Sequence, residues 1–274
     1  MIELPESQNL ANQVNKYLLG KSLKKIEANK SPHKFAWFSG DPKTYHKKLT
    51  GKKFTGANAF GGMVEIKIDN MSLVFNDGTN VRFFEKNEKL PLKHQLHIEF
   101  DDSSSLIFSV QMYGGIWLVE NNDWENSYYI SSRTKISPVS KENTKKYFVE
   151  LMNQVKQNYS VKAFLATEQR YPGLGNGVLQ DILFNAKVNP RRKLETLELQ
   201  EKEAIYLSVR QTLKEMINGG GRDTEKDIFG AQGNYRTILS AKTKGQPCPA
   251  CGSNIVREAY LGGNIYFCPV CQPV

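Results

Sequence analysis

The sequence predicts an α+β protein in three parts: an N-terminal helix leading into a β-sandwich, then a helical domain, then a C-terminal zinc-finger hairpin. Three observations carry this expectation. Short alternating segments fill most of the first half, apolar residues recur at helical spacing through the middle third, and all four cysteines lie within the last 27 residues. The expected boundaries are 1–135 for the sandwich, 136–245 for the helical domain and 246–274 for the finger.

The first helix is set by Leu10, Val14 and Leu18, four apart, with Gly20 where a helix would stop. From about residue 23 to residue 130 the pattern is that of strands. Met63-Val64-Glu65-Ile66-Lys67-Ile68 and Leu96-His97-Ile98-Glu99-Phe100 alternate apolar with polar residues. Asn76-Asp77-Gly78 and Asp101-Asp102-Ser103 supply turns between such segments, which suits an antiparallel sandwich. Past Ser137-Pro138, Ser140 is placed as the cap of a helix through Tyr147, Phe148, Leu151, Met152 and Val155. A short apolar stretch over 161–166 precedes the glycine-rich segment 171–177, and helical pattern resumes over 178–184 and 197–216. Gly219-Gly220-Gly221 ends the last helix.

At 274 residues the chain can bury a substantial core. Thirty-seven Lys and Arg against 28 Asp and Glu give a net charge of +9, which suits a polyphosphate partner as well as it suits an ordinary basic protein. No apolar run is long enough to cross a bilayer, and the opening Met1-Ile2-Glu3-Leu4-Pro5-Glu6 lacks the basic and hydrophobic regions of a secretory signal. A cytoplasmic protein is the default expectation.

Cys248 and Cys251 form one C-x2-C knuckle and Cys268 and Cys271 a second, with 16 residues between them. Four thiolates in two knuckles can close a tetrahedron around Zn²⁺ with bonds of about 2.3 Å. Gly262-Gly263-Asn264, midway, reads as the turn that brings the knuckles together. Two disulfides are the competing reading, but nothing points to an oxidising compartment. A full set of four ligands leaves no open position, so the metal is expected to be structural.

Three separated segments resemble one family, that of formamidopyrimidine-DNA glycosylase and endonuclease VIII. They are the opening Glu3-Leu4-Pro5-Glu6, the pair Val161-Lys162-Ala163-Phe164-Leu165 and Pro172-Gly173-Leu174-Gly175-Asn176, and the closing Phe267-Cys268-Pro269-Val270-Cys271-Gln272. The resemblance implies a helix-two-turn-helix in the middle domain, DNA held in the cleft between the domains, and action as a monomer on damaged or abasic duplex DNA. Lys162 and Asn176 match family residues that grip phosphates around the damaged nucleotide. The glycines at 173, 175 and 177 agree with this, since they permit close backbone approach at a helix N-terminus whose amides attract a phosphate. Glu3 matches the acid/base residue beside the sugar, and Glu6 a residue near the nucleophile. An acid-enriched helix start that complements the dipole is the plainer reading of both.

The chain departs from the family at several positions. Ile2 stands where relatives carry the proline whose amine attacks C1′, so the α-amine belongs to Met1, one residue away. Gly62 replaces the phosphate-binding lysine of a β-hairpin, and Gly263 the finger's arginine. The void-filling loop reads Gln111-Met112-Tyr113-Gly114, leaving Met112 and Tyr113 as wedges between bases, and Asp77 falls where relatives insert a methionine. The lid over oxidised guanine shortens to residues 229–235. Two functions follow: a glycosylase that flips a damaged base and cleaves its N-glycosidic bond with weak or absent abasic-site lyase activity, or a non-catalytic lesion- or structure-specific DNA binder. The run Arg191-Arg192-Lys193 reads either as a phosphate patch or as a solvated approach to a helix.

Overall fold

A computed structural model describes residues 2–120, 124–156 and 158–274. The first helix, α1 (Leu4–Tyr17), buries Leu10, Ala11 and Val14 against the sandwich. Strands β1 (Leu23–Ala28), β2 (Ala36–Phe38), β3 (Phe54–Phe60), β4 (Met63–Ile68), β5 (Met71–Phe75), β6 (Thr79–Phe84), β7 (Leu96–Phe100), β8 (Ser105–Val110) and β9 (Gly114–Glu120) follow in chain order. They form two sheets, ordered β1-β7-β8-β6 and β2-β9-β5-β4-β3. The pairing is antiparallel except for β2, which runs parallel to β9. Leu73, Phe75, Ile98, Phe100, Leu106 and Phe108 fill the space between the sheets.

The turn expected at 76–78 is present, and it joins layers: β5 lies in one sheet and β6 in the other, so this segment crosses between them. Residues 111–113 cross back from β8 to β9 at the same end, which brings Asp77 and Tyr113 together. Strand structure ends at Glu120, short of the expected limit, because Asn126 caps a helix, α3 (Ser127–Thr134), by accepting the Tyr129 amide at 2.9 Å. A short helix, α2 (Tyr45–Leu49), interrupts the early strands as well.

The middle domain contains α4 (Lys145–Asn153), α5 (Val161–Ala166), α6 (Asn176–Asn185) and α7 (Leu199–Asn218) around Phe148, Phe164, Ile182, Val209 and Leu213. The cap of α4 is Thr144, whose hydroxyl accepts the Tyr147 amide, rather than Ser140, whose amide closes a turn onto Ser137. The finger is the hairpin β10 (Val256–Tyr260) and β11 (Gly263–Phe267), turned by Leu261 and Gly262 with positive φ at both. No helix among the described residues is long and apolar enough to cross a membrane.

The first turn of α1 is the pivot between sandwich and helices. The Leu4 amide donates to the Gly173 carbonyl at 3.0 Å. Gly173 has φ +81°, and a Cβ there would lie 2.5 Å from the Gly61 carbonyl carbon. Two backbones therefore touch where any side chain would separate the domains. Gly173→Ala is expected to lose about 1–3 kcal/mol from the left-handed conformation alone, and more from the clash. Urea unfolding of the variant beside its parent measures it.

Candidate active site

Glu3 is 3% exposed and Glu6 is 5% exposed, so neither is a solvated helix start. They form a reciprocal cap: the Glu3 side chain accepts from the amide of Glu6, and Glu6 Oε2 accepts the Glu3 amide at 3.1 Å. Arg222, 2% exposed, donates to Glu6 from Nε at 2.9 Å and from Nη2 at 2.8 Å, and lies 3.6 Å from Glu3 Oε2. The Glu3 carboxylate also reaches across the cleft and accepts the amides of Gly177 at 2.8 Å and Val178 at 2.7 Å. The α6 N-terminus thus binds an anion from the protein itself, and these two amides are taken by Glu3 rather than left for a phosphate. Gly177 is small for a second reason, since a Cβ there would overlap the Arg222 guanidinium.

The two carboxyls are driven in opposite directions. Burial pushes Glu3 up, Arg222 and the two α6 amides oppose it, Glu6 adds to it, and the net lies above the ordinary carboxyl value of 4.5. Glu6 is also pushed up by burial, but the charge and hydrogen bonds of Arg222 outweigh this and hold it below 4.5.

Opposite Glu3, a pocket of about 270 Å³ opens between the domains, lined among others by Ile2, Glu3, Asp77, Tyr113, Tyr128 and Gly175. Asp77 Oδ1 accepts the Ile2 amide at 3.1 Å, and Oδ2 accepts the Tyr113 hydroxyl at 3.0 Å. The charge of Asp77, with burial, pushes the Tyr113 phenol above its ordinary value, so it stays a donor. Asp77 therefore faces the N-terminal segment and does not project as a wedge. Tyr128 fills the space beside Gly62, where an added Cβ would lie 3.2 Å from its phenol oxygen. Met1, the expected amine, lies outside the described residues.

Met112 is 73% exposed and Tyr113 is 41% exposed, and both border this end of the sandwich. Trp37, half exposed, sits 6.5 Å from Tyr113 ring to ring. Lys162 is 3% exposed and donates from Nζ to the Tyr260 carbonyl at 2.6 Å, while burial pulls its ammonium below the ordinary lysine value. Asn176 donates to the Asn264 carbonyl at 2.7 Å, and its own side-chain oxygen has no partner among the described residues. Both residues surround Gly263: a Cβ there would lie 3.5 Å from Asn176 Nδ2 and 3.6 Å from Lys162 Nζ. The basic run is internally paired, with Arg191 on Glu258, Arg192 on Glu201 through two bonds, and Lys193 on the Asn158 carbonyl.

The four cysteine sulfurs lie within 4.8 Å of one another, with Cys248 to Cys271 at 3.8 Å and Cys251 to Cys268 at 3.4 Å. Metal–sulfur bonds of about 2.3 Å in a tetrahedron place sulfurs roughly 3.8 Å apart, so the cluster fits such an ion. Backbone amides of Ala250 and Cys271 point at the sulfurs of Cys248 and Cys268. Gln272 donates to the Val188 carbonyl at 3.0 Å and fixes the finger to the helices.

Sequence reasoning missed Arg222, Tyr128, Trp37 and the orientation of Asp77. Arg222 had one signal, an arginine directly after three glycines that free the chain to turn back towards α1.

An N-terminal helix locked by a buried carboxylate pair between a β-sandwich and a helical domain, with a four-cysteine hairpin, defines a scaffold that recurs in known proteins. The formamidopyrimidine-DNA glycosylase N-terminal domain matches residues 1–111, and the H2TH domain of the same glycosylases matches residues 136–227. The formamidopyrimidine-DNA glycosylase of Bacillus cereus is 25% identical over 100% of this chain and 99% of its own length. That of Mycoplasma mobile is 26% identical over 99% of each. The Lactococcus lactis Fpg bound to DNA containing an abasic site superposes with a TM-score of 0.85 at 22% identity, over 99% of this chain and 100% of that one. The Thermus thermophilus protein gives 0.81 at 21%, over 98% of both. The chain belongs to the formamidopyrimidine-DNA glycosylase and endonuclease VIII family.

Proposed function

We propose that this chain is a DNA repair glycosylase that flips a damaged base into the interdomain cleft and cleaves its N-glycosidic bond by water attack, with little abasic-site lyase activity. The observation that carries this reading is the pairing of Asp77 with the backbone nitrogen of Ile2 across the pocket from Glu3. At position 2 the relatives use a free amine; with Met1 in place the nitrogen here is a peptide amide, held on a carboxylate and without a nucleophilic lone pair. Asp77 is then the base on one wall and Glu3 the carboxylate beside the sugar on the other. The oxygen of water bonds to C1′, the C1′–N bond breaks with its electron pair leaving on the base, and the water's proton passes to Asp77.

Tyr113 and Met112 contact the bases beside the vacated stack, with Trp37 next to them. Lys162 and Asn176 act through the finger turn, holding its backbone against a phosphate. The finger's ion is Zn²⁺ on Cys248, Cys251, Cys268 and Cys271, and its role is structural. Stripping it with a chelator is expected to unfold the hairpin and abolish DNA binding while far-UV circular dichroism retains the helices. Retained binding by metal-free protein would exclude this role.

The functional test incubates the protein with damaged duplexes and splits each sample. Alkali reveals excised bases in one half, and borohydride traps any imine in the other. Alkali-dependent cuts with little trapping support the reading. Strong trapping would restore an amine nucleophile and a lyase. Binding without cuts on any duplex would leave the non-catalytic DNA binder.

A further inference from the structure

On the outer face of the four-stranded sheet, three side chains that the proposed reaction does not use converge. β1 and β7 pair with Glu27 opposite His97, and their neighbours Ile26 and Ile98 enter the core, so Glu27 and His97 share the outer face. His94, just before β7, lays its ring against His97 at 5.7 Å between centroids. His94 is 4% exposed and His97 8% exposed, so both rings are withdrawn from water.

The hydrogen bond of neutral His94 sets its tautomer, and that of His97 suits the tautomer a metal needs. His94 Nδ1 lies 3.0 Å from the Pro91 carbonyl, which can only accept, so Nδ1 carries the proton and Nε2 a lone pair. That Nε2 is buried and has no hydrogen-bond partner among the described residues, with Glu27 Oε2 at 3.9 Å. His97 Nε2 lies 3.0 Å from Ser105 Oγ, and with Nε2 donating there, Nδ1 is the free ligand atom. Each imidazole thus has its second nitrogen oriented by an outer partner, the arrangement that metal-binding histidines use.

We propose that Glu27, His94 and His97 form a second metal site, for a divalent transition ion of the Zn²⁺, Co²⁺ or Ni²⁺ type, with solvent completing its shell. One donor atom from each residue lies within 4.8 Å of the others. Bonds of about 2.0–2.1 Å bring such donors to roughly 3.4 Å apart, so the site closes by a modest rotation of Glu27. Glu27 is half-buried and now pairs with Lys30 at 3.1 Å, a contact that the ion replaces. Two imidazoles and one carboxylate select transition ions over Mg²⁺ or Ca²⁺. Bound there, the ion ties edge strand β1 to the loop that enters β7.

The test uses the full chain as purified, dialysed into metal-free buffer without chelator so that the cysteine-held ion stays. Titration with Zn²⁺ followed by calorimetry is expected to show one further equivalent. It is expected to vanish in the His94→Gln, His97→Gln double variant and to weaken by at least about tenfold in Glu27→Gln. Titration with Co²⁺ is expected to give weak visible absorption with no sulfur-to-metal charge-transfer band. No further equivalent, binding unchanged in Glu27→Gln, or a charge-transfer band that assigns the ion to cysteine would each overturn the site. Glu27→Gln decides the matter if the double variant does not fold, because that side chain is outside the core.

Discussion

Arg222→Met is expected to cost about 3–5 kcal/mol of stability at neutral pH, because it leaves two buried carboxyls without their cation. The Arg222 side chain joins Glu6 through two hydrogen bonds, beside a third from its backbone amide, and faces Glu3, and all three residues are buried at the junction of α1, α6 and the end of α7. The pH dependence of the loss identifies its cause. In the parent, Glu6 lies below 4.5, so in the window beneath 4.5 the unfolded chain binds more protons. The contribution of Glu6 is complete above 4.5 and lost as pH falls through its folded value. Glu3 has the opposite sign: its folded value is raised, so the cost of burying its charge is absent below 4.5 and grows as pH rises through the folded value. Without Arg222 both carboxyls move up, and protonation relieves the variant. Denaturant unfolding across pH is therefore expected to show the deficit of Arg222→Met shrinking towards acid. A deficit independent of pH would mean lost packing rather than lost charge.

This triad shows what could and could not be read from the residues. Glu3 and Glu6 stood out because they are local to a recognisable helix start. Arg222 is 216 positions from Glu6, and pairing at that range is fixed by how the sandwich and helices dock. Strand existence was legible from alternation at Met63–Ile68 and Leu96–Phe100. Whether 76–78 closes a hairpin or crosses between sheets was not, because turn chemistry is the same in both while the partner strand is chosen elsewhere. The thiol spacing was legible in full, since four ligands and a turn are close in sequence. Lys162 and Asn176 were found by resemblance, but their facing the finger turn depends on the docking of β10–β11 against α5 and α6. Met1 lies outside the described residues, and its role is left to the trapping experiment.

Asp77→Asn is expected to lower base excision by about 10²–10⁴-fold while binding to an abasic-analogue duplex is retained. Asparagine keeps an oxygen for the Ile2 amide, so the N-terminal segment stays anchored, but it cannot take a proton from water. The same substitution would leave excision nearly unchanged if Asp77 only held the chain in place. Asp77→Ala loses both functions, and formate at the vacated position is expected to restore part of the rate but not the anchor. Glu3→Gln is expected to fall as far for a different reason. It keeps one oxygen for the amides of Gly177 and Val178 but removes the charge that, in the proposed reaction, faces the sugar as positive character grows at C1′. Because Glu3 is raised above 4.5, the acidic limb of the parent's rate profile is expected above that value, with the ionised form active. Single-turnover excision measured across pH, with alkali cleavage as the readout, distinguishes the two carboxylates. The acidic limb set by Glu3 is expected to persist in the residual activity of Asp77→Asn and to vanish from its place in the profile of Glu3→Gln. A limb that stays at the parent's pH in Glu3→Gln and is lost in Asp77→Asn would assign it to Asp77 and overturn Glu3 as its source.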